Sequence, residues 1–162
     1  MAEGRLPSCC AVLNGVYGIA MQTSFEMSTR GPGLYEFTSD VVQWVDAIGA
    51  GSGLLTLFVR HTSCSLLVQE NADPDVQKDL QAFFSRLVPP TTDPAMSYLV
   101  HTYEGPDDMP AHIKAAMMPV SLSIPVQRGR LMLGTWQGIY LFEHRNAPHL
   151  RQVAAAYTGS IG

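Results

Sequence analysis

Charge, cysteine and long apolar runs are all scarce in this chain, and each shortage rules something out. Charged residues make up 15% of the 162 positions, where about a quarter is usual for a soluble domain. So little charge means a large core or an apolar surface that a partner covers, and it points to a homo-oligomer. The ten Lys and Arg residues are scattered, and the net charge is −4. Phosphate backbones are gripped by clustered cations, so the pattern argues against nucleic acid. No apolar stretch approaches the roughly 20 residues that span a bilayer. The first residues carry Arg5 and then "CCAVL" without a long apolar centre or a cleavage site, which argues against a secretory signal. Cysteines number three, at 9, 10 and 64. An odd count with an adjacent pair does not build a disulfide framework. A reducing, cytoplasmic setting is the simplest expectation.

What is present suits one domain. Residues 1–18 show no clear period and are expected to form a loosely ordered extension ahead of a domain at 19–162. Strand texture runs from Ile19 to Met27, "STRGPG" punctuates a turn, and "LYEFT" is a second strand. Ser39 or Asp40 stands ready to cap a helix through Val41, Val42, Val45 and Ile48. "LLTLFV", 54–59, is a continuous apolar run that predicts a strand buried on both faces. "CSLLV", 64–68, is another strand. Asp73 as N-cap, Pro74 in the first turn and Asp75 near the positive helix end open a helix. Its stripe is Val76, Leu80, Phe83, Phe84 and Leu87, and Pro89 and Pro90 stop it. Asp107 or Asp108 caps a shorter helix that ends before Pro119. "VSLSIPV" alternates, as a strand with one wet or ligand-facing side does. "QRGR" is a turn. "LMLGTWQGIYLFEHR" reads as two strands joined or bulged at Gly134 and Gly138, and "LRQVAAAYTG" is the last strand. With three helices and most strands adjacent in sequence, the fold class is α+β: a single compact domain with antiparallel or mixed sheets, sandwich-like.

The chemistry gathers in "HTYEGPDDMPAH", residues 101–112, which holds two of the five histidines and three acids. A solvated capping loop, a metal site and an acid–base site all fit such a block. His61, His101 and His144 each stand at or just past the end of a buried-looking strand, where a rigid sheet holds groups that solvent still reaches. Polar residues also begin there for no functional reason. Imidazole nitrogen and carboxylate oxygen suit zinc, which in catalytic sites takes three protein ligands and keeps one position open. No pair of histidines has the H-E-x-x-H spacing, so a site must be assembled from distant segments. His101, His112 and His144 are the candidate ligands, with His61 close behind. One of Asp107 and Asp108 can cap the helix; the other, if buried, can act as an acid or base. Glu104 has no helical role. Glu143 lies in an apolar strand and needs a buried partner, Arg145 or a histidine. Cys64 with His61 makes a conceivable nucleophile pair, though a small buried apolar residue is the simpler reading. "GTWQG" can bulge to let a ligand approach the backbone.

Taken together, "RHTSCSLLVQENADPDVQKDL", "YLVHTYEGPDDMPAHIKAAM" and "GRLMLGTWQGIYLFEHR" resemble the signature blocks of the YjbQ family, described as secondary thiamine-phosphate synthases. The resemblance implies a compact α+β homotrimer with a polar, metal-holding pocket near subunit boundaries. Its blocks fall on His61, Thr62 and Ser63; on Asn71 and Asp73, with Gln69 departing from an asparagine; on His101, Glu104, Asp107, Asp108 and His112; and on Thr135, Gln137, Glu143, His144 and Arg145. The implied reaction joins hydroxymethylpyrimidine diphosphate to thiazole phosphate and releases pyrophosphate, which calls for a metal and cations. The cations at hand are few: Arg60, Lys114, Arg128, Arg130 and Arg145. That scarcity fits a secondary activity. The expectation is a divalent metal, zinc by donor type or magnesium with pyrophosphate substrates, on His101, His112 and His144. His61, Glu104, Asp108 and Asn71 are expected to do acid–base or orienting work. Thr62, Ser63, Thr135, Gln137 and Arg145 are expected to bind a small-molecule substrate. The alternative is a trimeric metal or small-molecule binding protein without physiological turnover. A cysteine hydrolase on Cys64 and His61 is a weaker third.

Overall fold

Apolar alternation dictates most of the strands. In the computed structural model, which describes residues 11–12 and 19–162, they form two antiparallel sheets. The strands are β1 (Ala11–Val12), β2 (Ile19–Ser28), β3 (Gly33–Glu36), β4 (Ala50–Val59), β5 (Cys64–Glu70), β6 (Ser121–Gln127), β7 (Arg130–Leu131), β8 (Gln137–Glu143) and β9 (Leu150–Ile161). The helices are α1 (Thr38–Ala47), α2 (Pro74–Leu87) and α3 (Asp108–Met117), with a 3₁₀ turn at Pro94–Met96. The larger sheet runs β1-β2-β9-β4-β6-β7 and the smaller β3-β8-β5. The expected α+β class holds, and every pairing among the described residues is antiparallel. The expected extension lies outside the described residues, apart from Ala11 and Val12, which pair with Ala20 and Ile19. No helix among the described residues is long and apolar enough to cross a membrane.

The core lies between the sheets. β4 turns Leu55, Leu57 and Val59 inward, and β9 adds Val153, Ala155 and Tyr157. From the other side come Leu66 of β5, Ile139 and Leu141 of β8, and Phe37, Val41 and Val45 from the start and inner face of α1. Leu54 and Phe58 remain 44% and 49% exposed, so the strand at 54–59 is not buried on both faces as expected. An antiparallel sheet buries one face only, and an apolar run does not reveal which faces are covered. The strand with two covered faces is β8, buried from Gly138 to Glu143. One face meets the core; the other meets α2, where Phe84 packs edge-on against Phe142 at 5.7 Å and Gln77 Nε2 donates to the Tyr140 hydroxyl.

The helix starts differ from expectation in two places. α1 begins at Thr38, not after Ser39 or Asp40, because buried Phe37 closes the chain onto the core and the Thr38 hydroxyl accepts the Ile139 N–H. The second strand therefore ends at Glu36. Asp107 stands at the N-cap of α3 without capping it; its carboxylate turns to Arg145 and Asn146 instead. Asp73 does cap α2, accepting from the Asp75 N–H at 2.9 Å. The expected strand pair of residues 131–145 divides between sheets, with β7 in the larger, β8 in the smaller and Gly134–Trp136 crossing between them. β4 and β9 lie close together at Gly53 and Gly159. A methyl group on Gly53 would lie 2.3 Å from the Thr158 carbonyl oxygen, so only glycine fits.

This architecture brings three pieces to one edge. They are the loop before β5 (60–63), the start of α3, and the loop that leaves β8 (144–149).

Candidate metal site

Asp108 and His112 are four residues apart on α3, which puts them on one face of the helix. His101 comes from the preceding loop. His101 Nε2 lies 2.8 Å from Asp108 Oδ2, and His112 Nε2 lies 3.4 Å from the same oxygen. One ligand atom from each residue falls within 4.8 Å of the others. Bonds of about 2 Å in tetrahedral geometry would set such atoms about 3.3 Å apart, so the trio is close to the size a zinc-like ion needs. Asp108 is 3% exposed in its side chain, and the two imidazoles are 28% and 35% exposed. The site is thus anchored in the protein and open on one side.

His112 Nδ1 donates to the Thr62 carbonyl oxygen at 3.0 Å. A carbonyl only accepts, so Nδ1 carries the proton and the Nε2 of a neutral ring presents a lone pair. That lone pair faces a carboxylate oxygen at 3.4 Å. Two acceptors so placed repel unless a second proton or a cation stands between them. The other oxygen of Asp108 accepts from Arg145 Nη1. Arg145 also donates from Nε to Asp107 Oδ2 at 3.0 Å and from Nη2 to the Glu104 carbonyl at 3.2 Å. Burial pushes Asp107 up, but the Asn146 N–H and Arg145 outweigh it and hold its carboxyl below the usual carboxylate range. Glu104 Oε1 lies 3.7 Å from His101 Nε2 on the exposed rim. With neutral imidazoles, the carboxylates of Glu104, Asp107 and Asp108 against one guanidinium leave a local charge that a dication would cancel.

The trio joins two of the expected ligands, His101 and His112, to an aspartate expected as an acid–base group. Helical spacing is absent between any two histidines but present between Asp108 and His112, and that is the local signal for the pair. His144, the third expected ligand, is not in the group. It is 3% exposed, its Nε2 pairs with the Ser65 hydroxyl at 2.9 Å, and its Nδ1 is buried without a partner. Burial, with Lys114 next, pushes it down to about 3. One residue past the strand end, its side chain still turns into the protein rather than to the open edge.

The other expected site residues scatter. His61 Nε2 accepts the Gln152 N–H at 2.8 Å, so its ring extends the pairing of β4 with β9; burial and Arg151 lower its pKa. Thr62 contributes its carbonyl rather than its hydroxyl. Ser63 accepts from Arg151. Asn71, Thr135 and Gln137 sit at the far end of β5 and β8, where Glu70 pairs with Gln137, while Cys64 pairs with Glu143 at the near end. Six residues of strand separate the two ends by about 20 Å within one chain. Gln137 spends its side-chain oxygen on the Gly134 N–H. Cys64 is fully buried, and burial pushes its thiol up to about 12, which removes the thiolate that a nucleophile pair with His61 needs. Glu143 finds its buried charged partner in Arg151, while Arg145 and His144 reach it only through their backbone N–H groups. Arg151 escaped the sequence reading, although a period of two in β9 sets it on one face with Val153, Ala155 and Tyr157.

Known proteins share this plan. A family profile described as "UPF0047 protein YjbQ-like" matches residues 23–160. The UPF0047 protein sll1880 of Synechocystis sp. is 49% identical over 135 residues, which cover 83% of this chain and 89% of that protein. The UPF0047 protein YjbQ of Escherichia coli O157:H7 is 41% identical over 139 residues, or 85% and 97% of the two chains. A solved structure of an uncharacterised YjbQ/UPF0047 protein from Clostridium acetobutylicum superposes with a TM-score of 0.73 at 32% identity, covering 83% of this chain and 98% of its own. Another, of unknown function from Sulfolobus solfataricus, gives 0.76 at 22% identity over 88% and 99%, a likeness of fold. With a profile match across most of its length and relatives this similar, the chain belongs to the YjbQ-like UPF0047 family.

Proposed function

We propose that this protein holds a divalent cation, zinc by its donor set, on His101, Asp108 and His112, and that the ion serves a small-molecule transferase of the thiamine-phosphate synthase type. The observation that carries the reading is the geometry of the trio, with His101 Nε2 and His112 Nε2 both turned to Asp108 Oδ2, at 2.8 and 3.4 Å, while His112 Nδ1 is committed to Thr62. A hydrogen-bond partner that fixes the tautomer of a ligating histidine is a regular feature of metal sites. A Zn²⁺ held by His101, Asp108 and His112 would supply a Lewis acid. The chain's own residues do the rest. Arg145 keeps Asp108 turned so that only Oδ2 faces the imidazoles. Glu104, at the rim and 3.7 Å from His101, is the group we assign to orienting the substrate. In the reaction the bond from the pyrimidine methylene carbon to the diphosphate oxygen breaks, and the thiazole nitrogen bonds to that carbon.

Two observations favour a second reading, a homotrimeric binding protein without turnover. Arg145 is fully engaged by Asp107, Asp108 and the Glu104 carbonyl, so it is not free for a diphosphate. Asn71, Thr135 and Gln137 lie about 20 Å along the strands from the trio, so they serve the same pocket only if a neighbouring chain brings them.

One experiment addresses the metal and its use together. Protein stripped with chelator and titrated with zinc should take up one equivalent per chain, and His101→Ala and His112→Ala should each take up far less. Equal stoichiometry in all three would reject the ligand assignment. Pyrophosphate release from the two phosphorylated substrates, no faster with wild type than with the variants, would leave the binding reading.

A further inference from the structure

Two hooks hold the trio in place, the Thr62 carbonyl on His112 and the Arg145 guanidinium on Asp108. Neither hook stands on a helix or strand. Thr62 belongs to the loop before β5 and Arg145 to the loop after β8. Loops alone do not fix ligands to the few tenths of an ångström that a metal site requires. Something must hold both.

Both loops hang from one buried ion pair. Glu143, the last residue of β8, is 0% exposed, and Arg151 of β9 is 4% exposed. Glu143 Oε1 accepts the N–H groups of His144 and Arg145, each at 3.0 Å, and Arg151 Nη2 at 2.5 Å. Its Oε2 accepts from Arg151 Nε at 2.7 Å and from the Thr29 hydroxyl at 2.9 Å. This carboxylate therefore fixes the backbone from which the Arg145 side chain departs. The same Arg151 Nη2 donates to Ser63 Oγ at 3.1 Å, and Ser63 is the neighbour of the Thr62 carbonyl. The carboxylate steers the Arg145 loop, and its guanidinium partner steers the Thr62 loop.

We infer that Glu143 and Arg151 are positioning residues for the His101–Asp108–His112 site, acting through Arg145 and through Ser63 and Thr62. The inference rests on the reading of that trio as a cation site. A buried ion pair adds little stability over an apolar pair of the same volume, so its main effect here is on where the two loops lie. Disturbing the partners that orient metal ligands weakens metal binding by roughly 10–100-fold.

The test compares zinc affinity, read by competition with a chromophoric chelator, in wild type, Arg151→Lys, Ser63→Ala and Asp73→Ala. Lysine keeps the charge but cannot reach Glu143 through two nitrogens and Ser63 as well. Ser63→Ala is the milder variant, retained if the first folds poorly. Asp73→Ala removes the cap at the start of α2, beyond the far end of β5, and reports what lost stability alone does. The expected result is a roughly 10–100-fold loss of affinity in Arg151→Lys or Ser63→Ala, with Asp73→Ala unchanged. Wild-type affinity in both brace variants would overturn the inference, and so would a loss in all three that follows their stability. A second readout separates failure of the brace from failure of the metal reading. In metal-free wild type, the Arg145 Nε–H and His112 Nδ1–H should give slowly exchanging NMR signals that disappear in the brace variants. Their persistence in both variants overturns the brace even if no zinc binds at all.

Discussion

His144 shows how burial sets a residue's chemistry. Its ring is 3% exposed and its pKa is pushed down to about 3 by burial first and Lys114 next. The unfolded chain takes up this proton near the ordinary value of 6.5, and the folded chain only near 3. Folding is therefore opposed as pH falls from 6.5 towards 3, and this loss is absent above 6.5. One proton corresponds to about 1.4 kcal/mol per pH unit inside that window. His61, lowered in the same sense, adds to it. Urea melts between pH 5 and 6.5 should show this slope in wild type and a slope smaller by about one proton in His144→Gln; identical slopes would mean the folded ring is already charged. At this scale much of the site was legible. His101, Asp108 and His112 lie within one block of twelve residues, and a short helix with the loop before it gathers them. What escaped was direction. Nothing local says that His144 turns inward while Arg145 turns to Asp108, because both follow the same strand end and only packing against Ser65 and Asp107 separates them.

Elements were easiest to read where a terminus has its own chemistry. Asp73 followed by Pro74 fixes the start of α2, and the cap bond is present at 2.9 Å. Asp73→Ala should cost about 1 kcal/mol, seen as a lower urea midpoint with an unchanged slope; a midpoint within error of wild type would mean that Pro74 and Asp75 suffice. Coverage was harder to read. The α2 stripe suggested a buried face, yet no residue of the helix is fully buried, and Phe83 and Leu87 remain 54% and 48% exposed. The apolar run of β4 likewise has a solvent-facing side. Spacing says which residues share a face, and only the rest of the fold says what that face meets.

The whole molecule presents several apolar groups to solvent, among them Leu54, Phe58, Val100 and Trp136. Together with low charge, they support the proposed homotrimer, and light scattering at micromolar concentration should return three times the mass of one chain. A monomer mass would leave Asn71, Thr135 and Gln137 without a route to the trio. Sheet order was the least legible feature, since pairing partners far apart in sequence carry no local signal. β9 makes the point, for it lies between β2 and β4 and joins ten residues of β2 in unbroken register. A growing chain that has left the ribosome only as far as residue 149 holds both outer partners but not the strand between them. The larger sheet can close only after synthesis has reached β9, and until then β2 and β4 offer bare edges to chaperones or to one another.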